Sequence, residues 1–395
     1  MTPTRIVILT ELPTRIPLVV EPFWIGRDAG SDLCLWDLRI SRQHAKITVV
    51  HGEHVLAAQG DHPLWVNGAK VPVMTLRDGD IVSLTPPDEP DPIRLRFENE
   101  LEGAFVPPGS SLTAAWQEMR KARGADVALD DRYELLEPLA GPGPVAPSRA
   151  RDRATGHEIA LKALPPVALG APADAWVRLV AVLAGGSHPA IGRVLDGGVV
   201  PDLGVALRWV ATKVVRGRPA STRIEEGPQA LLTVVRRVRA LANGLNLLHE
   251  RGVVHGAVVP SHILLTPSGS AVLVGLGRTF LVRDGPFPPS GPRTEIEYTA
   301  PELLTEGAVA TPATDVYGVG SLAHGILTGS PPFPAGTGAA RGAPGDVARP
   351  GSPVPEPLRE AVSRAMDPDP AQRPTAAEIG DVCAFVESEL ERTTP

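Results

Sequence analysis

The sequence predicts a multidomain protein, in which an N-terminal all-β sandwich precedes a C-terminal α+β domain with two lobes. The first hundred residues contain short strand-like segments separated by turn signals, and no segment has a helical period, which is typical of a sandwich. From about residue 132 onward, strand-like segments come first and long helical segments follow, which indicates an α+β domain with unequal lobes.

The sandwich is predicted over residues 1–100. Its strand-like segments are RIVILT, PLVVEPFWIG, DLCLW, HAKITVV, HVLAAQ, LWVNG and DIVSL. Residues 101–130 are predicted to be a linker, because FVPPGSS breaks the strand pattern before LTAAWQEMRKAR, a segment that suits a short amphipathic helix.

The α+β domain is predicted over residues 131–391, beginning with the strand-like segments RYELLEPLA and HEIALKAL. A long helix follows, whose apolar residues at 231, 234, 235, 238, 241, 245 and 248 form one stripe and which ends at Gly252. Thr375 is the expected N-cap of a closing helix.

Composition and charge exclude several classes of function. The net charge is −7 and no block of basic residues occurs, so we expect binding neither to nucleic acid nor to an acidic membrane surface. No run approaches the roughly 18 apolar residues of a spanning helix. The two cysteines, Cys34 and Cys383, are far apart and offer neither a disulfide framework nor a metal site. We therefore expect a cytoplasmic protein with two buried thiols.

Four polar residues between the predicted strands form a candidate binding site. Arg27, Ser41, Arg42 and Asn67 all fall in loops, which is where a rigid sandwich usually presents binding groups. Two arginines and a hydroxyl suit a phosphate ester, because arginine supplies a fixed charge with forked donors, and an amide can hold a peptide backbone. The alternative is that the arginines are solvated surface charges and Asn67-Gly68 is only a hairpin turn.

The motifs Gly26-Arg27, Ser41-x-x-His44 and Asn67-Gly68, followed by LRDGD, resemble the forkhead-associated (FHA) domain, a reader of phosphothreonine peptides. The resemblance implies that Ser41 and Arg42 contact the phosphate, that Arg27 shapes or contacts its pocket, and that Asn67 binds the peptide backbone. Gly26, His44 and Gly68 are structural in this motif. The implied partners are phosphothreonine proteins, either substrates of Ser/Thr kinases or autophosphorylated kinases.

A second resemblance covers about residues 132–390. SHPAI, LNLLHERGVVHG, YTAPELL, TDVYGVGSLAHGILTGSPPF and DPDPAQRPTAAE occur in the order in which bacterial Ser/Thr protein kinases carry their motifs. The resemblance implies a bilobal kinase-like fold, in which Glu302 and Arg373 form a buried ion pair and Asp315 begins the helix through the core of the large lobe.

The nucleotide-binding positions differ from the kinase pattern. The three glycine positions of the phosphate-binding loop hold Ala140, Pro142 and Val145. Only five of the 395 residues are lysine, and Lys162 matches the family's phosphate-binding lysine. Its partner glutamate is missing, because Arg178 or Leu179 occupies that site, so we expect Lys162 to be a vestigial cofactor-binding residue.

The base and metal positions also differ. Ala257 stands at the position of the catalytic aspartate, His262 at the metal-binding asparagine and Gly275 at the metal-binding aspartate. We therefore expect no catalytic residue, no metal site and no cofactor, with ATP and magnesium unlikely. Thr279 and Thr294 lie in the segment matching the activation loop and are candidate phosphorylation sites, although an ordinary solvent loop is an equal alternative.

These observations predict a signalling adaptor or scaffold that binds phosphothreonine partners through the FHA domain and carries an inactive kinase-like domain, a pseudokinase. The alternative is a divergent Ser/Thr protein kinase or ATP-binding enzyme with a rearranged site that uses Lys162. A third interpretation is a scaffold without dependence on phosphorylation.

Overall fold

A computed structural model of the chain describes residues 4–9, 13–18, 21–28, 31–35, 37–99, 133–139, 147–202, 205–287, 293, 295–305, 307–333 and 354–393. The predicted linker over 101–130 with its short helix, the loop positions 140, 142 and 145, and Thr294 lie outside these residues. The chain divides into two compact units: residues 1–187 with 193–214, and residues 188–192 with 215–395.

The N-terminal part of the first unit is a sandwich of two mainly antiparallel sheets. Its strands are β1 (Arg5–Ile8), β2 (Thr14–Pro17), β3 (Phe23–Gly26), β4 (Leu33–Cys34), β5 (Ala45–Val50), β6 (Glu53–Ala58), β7 (Leu64–Val66), β8 (Ala69–Val71), β9 (Val73–Thr75), β10 (Ile81–Ser83) and β11 (Arg94–Glu98). One sheet has the order β2-β1-β11-β10-β7-β8 and the other β4-β3-β5-β6-β9. Alternating residues such as Ile6, Ile25, Leu56 and Phe97 are fully buried between them.

The turn between β7 and β8 is fixed by its two residues. Asn67 and Gly68 have φ angles of 50° and 84°, and Val66 pairs with Ala69 across the turn. Positive φ at both central residues defines a type I′ turn, which Asn-Gly favours because glycine adopts that backbone without strain. The predicted Asn-Gly hairpin therefore forms.

The described residues of the first unit beyond the sandwich form a five-stranded sheet with one helix. The strands are β12 (Tyr133–Pro138), β13 (Ser148–Asp152), β14 (Glu158–Ala168), β15 (Val194–Asp202) and β16 (Val205–Lys213), in the order β12-β13-β14-β16-β15, and the helix is α1 (Ala171–Ala184). An apolar cluster containing Ile159, Leu161 and Trp209 covers one face of the sheet. Trp176 of α1 is fully buried and donates its indole N–H to the carbonyl of Gly198 at 2.9 Å.

The second unit is mainly helical. Its elements are β17 (Arg218–Pro219), α2 (Ala220–Glu225), α3 (Leu231–Glu250), β18 (Val253–Val254), β19 (Ile263–Leu265), β20 (Ala271–Leu273), β21 (Phe280–Leu281), α4 (Pro312–Thr328), α5 (Glu356–Ala365) and α6 (Ala376–Thr393). Short 3-10 turns lie between several of them.

The helices follow the sequence pattern. Six of the seven stripe positions predicted for α3, from Val234 to Leu248, are buried, and Leu231 is half-buried. Thr375 and Glu378 cap α6 reciprocally, because the Thr375 hydroxyl accepts the Glu378 N–H at 3.2 Å and the Glu378 carboxylate accepts the Thr375 N–H at 2.7 Å. In the described residues, no helix combines the length and hydropathy needed to span a bilayer.

Candidate functional site

Two loops of the sandwich bring Arg27, Ser41 and Arg42 together. Strand β3 ends at Gly26, and the next two backbone N–H groups, of Arg27 and Asp28, donate to the carbonyls of Ser41 and Arg42 at 3.1 and 3.0 Å. The Arg27 Nε–H also donates to the carbonyl of Ile40 at 3.0 Å. The three predicted phosphate-binding residues therefore share one hydrogen-bonded loop pair, which we call the Arg27–Ser41–Arg42 cluster.

Two glycines allow these loops to approach closely. A Cβ on Gly26 would lie 2.1 Å from the carbonyl oxygen of Arg42, and a Cβ on Gly60 would lie 2.1 Å from the Ser41 hydroxyl oxygen. Neither distance is compatible with a side chain, so both positions require glycine for space. Gly26 is part of the predicted motif, and Gly60 extends it.

His44 supports the cluster from the interior. Its ring is fully buried, and Nδ1 accepts the backbone N–H of Ser41 at 3.2 Å. Burial, with a smaller contribution from the neighbouring His62, lowers the pKa of His44 to about 4. The imidazole is therefore neutral at pH 7 and acts as a hydrogen-bond acceptor for the loop.

His62 is a site residue that the sequence reasoning missed. Its Nδ1 lies 2.9 Å from the Ser41 hydroxyl oxygen, and its exposed ring stacks on His44 with the centroids 6.1 Å apart. The only available signal was a histidine in the loop QGDHP, two residues after Gly60. A loop histidine alone does not predict a contact 21 residues away, because that contact depends on the pairing of β5 and β6.

The arginine charges of the cluster are not neutralised by any described carboxylate. Arg42 is exposed and its guanidinium makes no hydrogen bond or ion pair with any described residue. Arg27 is half-buried, and in the same part of the chain only its Nε–H has a side-chain hydrogen bond. By contrast, Arg39 is neutralised by Asp37 and Glu89. Arg27 and Arg42 are therefore the cationic groups of these loops that an anion can reach.

Asn67 makes its hydrogen bonds elsewhere. Its Nδ2 donates to the Asp80 carboxylate at 2.8 Å, and its Oδ1 accepts the Ile81 N–H at 2.9 Å. These bonds tie the β7–β8 turn to the start of β10. One Nδ2 hydrogen is left for a peptide carbonyl, since a primary amide has two donors.

Lys162 lies on β14, opposite Val210 of β16, on the face of the sheet away from the apolar cluster. No carboxylate pairs with it among the described residues, and burial lowers its pKa. At the predicted partner positions, Arg178 is half-buried and Leu179 is fully buried in α1. The structure therefore supplies a desolvated lysine without a counter-ion.

In the second unit, the loop after β18 is held through its backbone. The Asp315 carboxylate accepts the N–H groups of His255 and Gly256, each at 2.8 Å, and contacts His249 Nε2 at 3.0 Å. This carboxylate is fully buried. These hydrogen bonds hold the backbone of the loop, although the residue at its catalytic position, Ala257, differs from the kinase pattern.

His262 and Gly275 fit each other. The His262 Nδ1 lies 2.9 Å from the carbonyl oxygen of Ala257, and a Cβ on Gly275 would lie 2.7 Å from the His262 ring. Gly275 also has a φ of 92°. These two positions supply no oxygen ligand for magnesium, and the residues described contain no cluster of three or more metal-ligating side chains.

The predicted ion pair of the second unit is confirmed. Arg373 Nη1 and Nη2 donate to the two Glu302 carboxylate oxygens at 2.7 and 2.8 Å, and the Thr314 hydroxyl donates to the same carboxylate at 2.9 Å. Thr279, a candidate phosphorylation site, is buried, and its hydroxyl donates to the carbonyl of His255. A kinase therefore cannot reach Thr279 in this conformation.

Comparison with known families agrees with both halves of this description. The protein kinase domain family matches residues 147–382, more than half of the chain. This chain belongs to the protein kinase family. The FHA domain family matches residues 23–85, so an FHA domain precedes the kinase domain, and the predicted fold class is confirmed.

The relatives of the kinase domain are bacterial. The chain is 29% identical over 259 residues to the serine/threonine-protein kinase PknA of Mycobacterium tuberculosis, over 62% of this chain and 59% of PknA. It is 30% identical to the serine/threonine-protein kinase PkaA of Streptomyces coelicolor, over 63% of this chain and 48% of PkaA. It is 28% identical to the DNA damage-responsive serine/threonine-protein kinase RqkA of Deinococcus radiodurans, over 52% of this chain and 31% of RqkA. The chain thus matches between 31% and 59% of the length of these relatives.

Two predictions are wrong in light of these matches. The kinase domain was expected not to be an enzyme, and ATP and magnesium were expected to be unlikely cofactors. Its relatives are named as serine/threonine-protein kinases, whose chemistry uses ATP with a divalent metal. Ala257 and Gly275 remain departures from the family pattern within this match. The residues at positions 262 and 275 supply no oxygen ligand and therefore do not fit a magnesium ion.

Proposed function

We propose that this protein is a signalling adaptor of the protein kinase family, whose FHA domain binds phosphothreonine segments of partner proteins. The observation that carries the proposal is the Arg27–Ser41–Arg42 cluster, in which two hydrogen-bonded loops hold Arg27 and Ser41 together with an exposed Arg42 that pairs with no described carboxylate. Arg27, Ser41 and Arg42 would contact the phosphate, and the remaining Nδ2 hydrogen of Asn67 would donate to the peptide backbone. Gly26, His44 and Gly68 would hold the loops that carry them.

The cluster is chemically suited to a phosphate ester. A phosphothreonine carries nearly two negative charges at pH 7 and three acceptor oxygens. Hydrogen bonds to charged groups contribute roughly 1.5–3 kcal/mol each, so two or three of them support a dissociation constant in the micromolar range. The partially buried Arg27 strengthens this recognition, because its interaction with the phosphate is less screened by water than that of a fully exposed arginine.

The proposed partners are substrates of Ser/Thr kinases or autophosphorylated kinases, and the proposed location is cytoplasmic. The kinase domain would offer a second protein-binding surface, so that the phosphorylated partner and another protein could bind to the same chain. The relationship to bacterial Ser/Thr kinases supports this class of partner, since such kinases produce the phosphothreonine that an FHA domain reads.

The test is a binding titration with matched arginine variants of the full chain. Fluorescence anisotropy should show binding of a phosphothreonine peptide library and no binding of the unphosphorylated peptides. Arg42→Ala should abolish binding, whereas Arg39→Ala should retain it, because Arg39 is already neutralised by Asp37 and Glu89. Equal binding of phosphorylated and unphosphorylated peptides would refute the proposal.

A second candidate function is ATP-dependent phosphoryl transfer, in a site that uses Lys162. The position of Lys162 on β14, where no carboxylate of the described residues pairs with it, and the family match favour it. Lys162 would donate to phosphate oxygens of the nucleotide. The test is a thermal-shift titration with Mg²⁺-ATP and Mn²⁺-ATP, followed by a phosphoryl-transfer assay.

Lys162→Ala should remove the nucleotide-dependent shift. Lys213→Ala is the matched control, since Lys213 lies on the neighbouring strand β16 and is exposed. Loss of the shift in both variants, or in neither, would argue against a role for Lys162 in nucleotide binding.

A further inference from the structure

Helix α1 is buried on more sides than packing against one sheet requires. Nine of its 14 residues are buried, and the polar positions Asp174 and Arg178 lie on one narrow stripe. One face packs on the kinase sheet, where Trp176 donates to Gly198 and a Cβ on Gly197 would touch Val180. A helix that covers a sheet on one side normally has a polar opposite face. The additional apolar surface of α1 therefore has another partner.

That partner is the FHA domain. Strands β2 and β4 both contact α1, and β2 also contacts β15. Strands β2 and β4 are edge strands of the two FHA sheets, and β15 is one of the two edge strands of the kinase sheet. All four residues of β2 and both residues of β4 are buried. Because exposed edges invite unwanted pairing, proteins commonly cover them. Here the FHA domain covers the β15 edge of the kinase sheet, and the kinase domain covers one edge of each FHA sheet.

Specific contacts define this interface. Arg193, which precedes β15, donates from Nη2 to the Thr14 hydroxyl at 3.1 Å, and burial lowers the pKa of Arg193. Gly185 ends α1 with an ordinary helical φ of −69°, so its backbone does not require glycine. A Cβ there would lie 3.3 Å from the Asp32 carbonyl oxygen and 3.5 Å from the Cys34 nitrogen. A side chain larger than methyl at 185 would therefore meet the backbone of residues 32–34.

The interface lies one strand away from the Arg27–Ser41–Arg42 cluster. Cys34 of β4 pairs with Gly26 of β3, and its Sγ contacts the carbonyl oxygen of Arg27 at 3.6 Å. The Arg27 N–H in turn donates to the Ser41 carbonyl. Strand β4 therefore touches the end of α1 on one side and the cluster on the other.

We infer that the FHA domain is a docked part of the kinase small lobe, and that ligand binding at its Arg27–Ser41–Arg42 cluster is coupled to α1 through β4. In kinases generally, the position of this helix controls activity, and an ion pair to the strand lysine helps to set it. Lys162 lacks such a partner among the described residues, so packing against the FHA domain takes over the positioning of α1. The coupling rests on the proposed phosphopeptide binding, whereas the docking does not.

Hydrogen exchange of the full chain, measured by mass spectrometry, tests the docking. In the wild type, amides of β2, β4 and α1 should exchange slowly. Gly185→Glu should accelerate the exchange of β2 and β4 by about tenfold or more, because a side chain there separates α1 from β4. Arg178→Glu, on the polar stripe of the same helix, should leave these strands unchanged. Equal exchange of β2 and β4 in the wild type and in Gly185→Glu would overturn the docking.

A second, less disruptive variant tests the docking even if Gly185→Glu misfolds. Arg193→Ala combined with Thr14→Val removes the hydrogen bond between the modules without adding volume, and should accelerate the exchange of β2 to a smaller extent. If neither variant changes the exchange of β2 or β4 while both remain folded, the docking is refuted.

The coupling is tested by repeating the exchange with a saturating phosphothreonine peptide. Binding should slow exchange in α1 of the wild type, and this effect should vanish in Gly185→Glu. By reciprocity, Gly185→Glu should also weaken peptide binding by at least about threefold. Unchanged exchange of α1 with peptide bound would overturn the coupling. If the wild type binds no phosphopeptide, both the proposed function and the coupling are refuted. The exchange of the wild type and of Gly185→Glu without peptide still tests the docking by itself.

Discussion

Arg373 and Glu302 form a two-point ion pair across 71 positions of the sequence, with distances of 2.7 and 2.8 Å. The arginine side chain is fully buried, and its guanidinium also lies 4.9 Å from the centre of the Tyr317 ring. Burial alone would raise the pKa of Glu302, but the hydrogen bonds from Arg373 and Thr314 hold it below its ordinary value. The glutamate is therefore charged at neutral pH and fully engaged.

Removing one partner of this pair should destabilise the kinase domain strongly. Arg373→Met leaves the Glu302 carboxylate without its counter-ion, and breaking a buried pair in this way typically costs about 3–5 kcal/mol. Urea unfolding of the full chain measures the loss. Arg359→Met is the matched control, because Arg359 pairs with Glu356 at an exposed site, where the loss should stay below about 1 kcal/mol. Similar losses of unfolding free energy in Arg373→Met and Arg359→Met would show that the Glu302–Arg373 pair is not a strongly stabilising buried ion pair.

Ser41 and His62 should act together in phosphopeptide binding. His62 holds the Ser41 hydroxyl at 2.9 Å, so removing either side chain disturbs the same contact. We expect Ser41→Ala and His62→Ala each to weaken peptide binding, and the double variant to lose less than the sum. The interaction energy should be at least about 0.5 kcal/mol, as for residues in direct contact. Anisotropy titrations of the four proteins measure it, and strictly additive losses would show that the two side chains act separately.

The features predicted correctly from the sequence are those fixed by local pattern or by an extensive motif series. The buried stripe of α3 follows from its helical periodicity, and the turn at Asn67-Gly68 follows from the backbone preferences of two residues. The ion pair of Glu302 with Arg373 was predictable because both residues lie in motifs that the kinase family carries in order.

The features that were missed depend on tertiary contacts. His62 reaches Ser41 only because the β5–β6 hairpin folds back, and α1 reaches β4 only because two modules pack together. The prediction of inactivity failed for a different reason. It weighed the residue types at positions such as 257 and 275 one by one, whereas the relationship of the whole domain to Ser/Thr kinases carries more information.

His44 should make the FHA domain less stable in acid. Its pKa falls from 6.5 to about 4 on folding, so between these values the unfolded chain binds a proton that the folded chain does not. The free energy of unfolding should therefore decrease as the pH falls from 6.5 towards 4, by about 3 kcal/mol in total.

An NMR titration of the imidazole signals should give a midpoint near 4 for His44, while urea titrations followed by FHA amide signals measure the stability. His44→Asn can still accept the Ser41 N–H, and should lack the His44 contribution to the pH dependence. A midpoint near 6.5 for His44 would contradict the structural explanation.

Gly275 should tolerate a side chain less well than a comparable glycine. It has a φ of 92°, and a Cβ would lie 2.7 Å from the His262 ring, whereas Gly285 has a φ of 75° with nothing within 4 Å of its Cβ position. Both Gly275→Ala and Gly285→Ala incur backbone strain, of roughly 1–3 kcal/mol. Only the substitution at 275 also displaces a ring, so it should lower the melting temperature further.

Replacing His262 should separate these two causes. Gly275→Ala combined with His262→Ala removes every side-chain atom beyond Cβ that the new Cβ would meet, and should melt close to Gly285→Ala combined with His262→Ala, because only the backbone strain then separates the two. If Gly275→Ala is no less stable than Gly285→Ala, the imidazole is not packed against Gly275 as the structure shows.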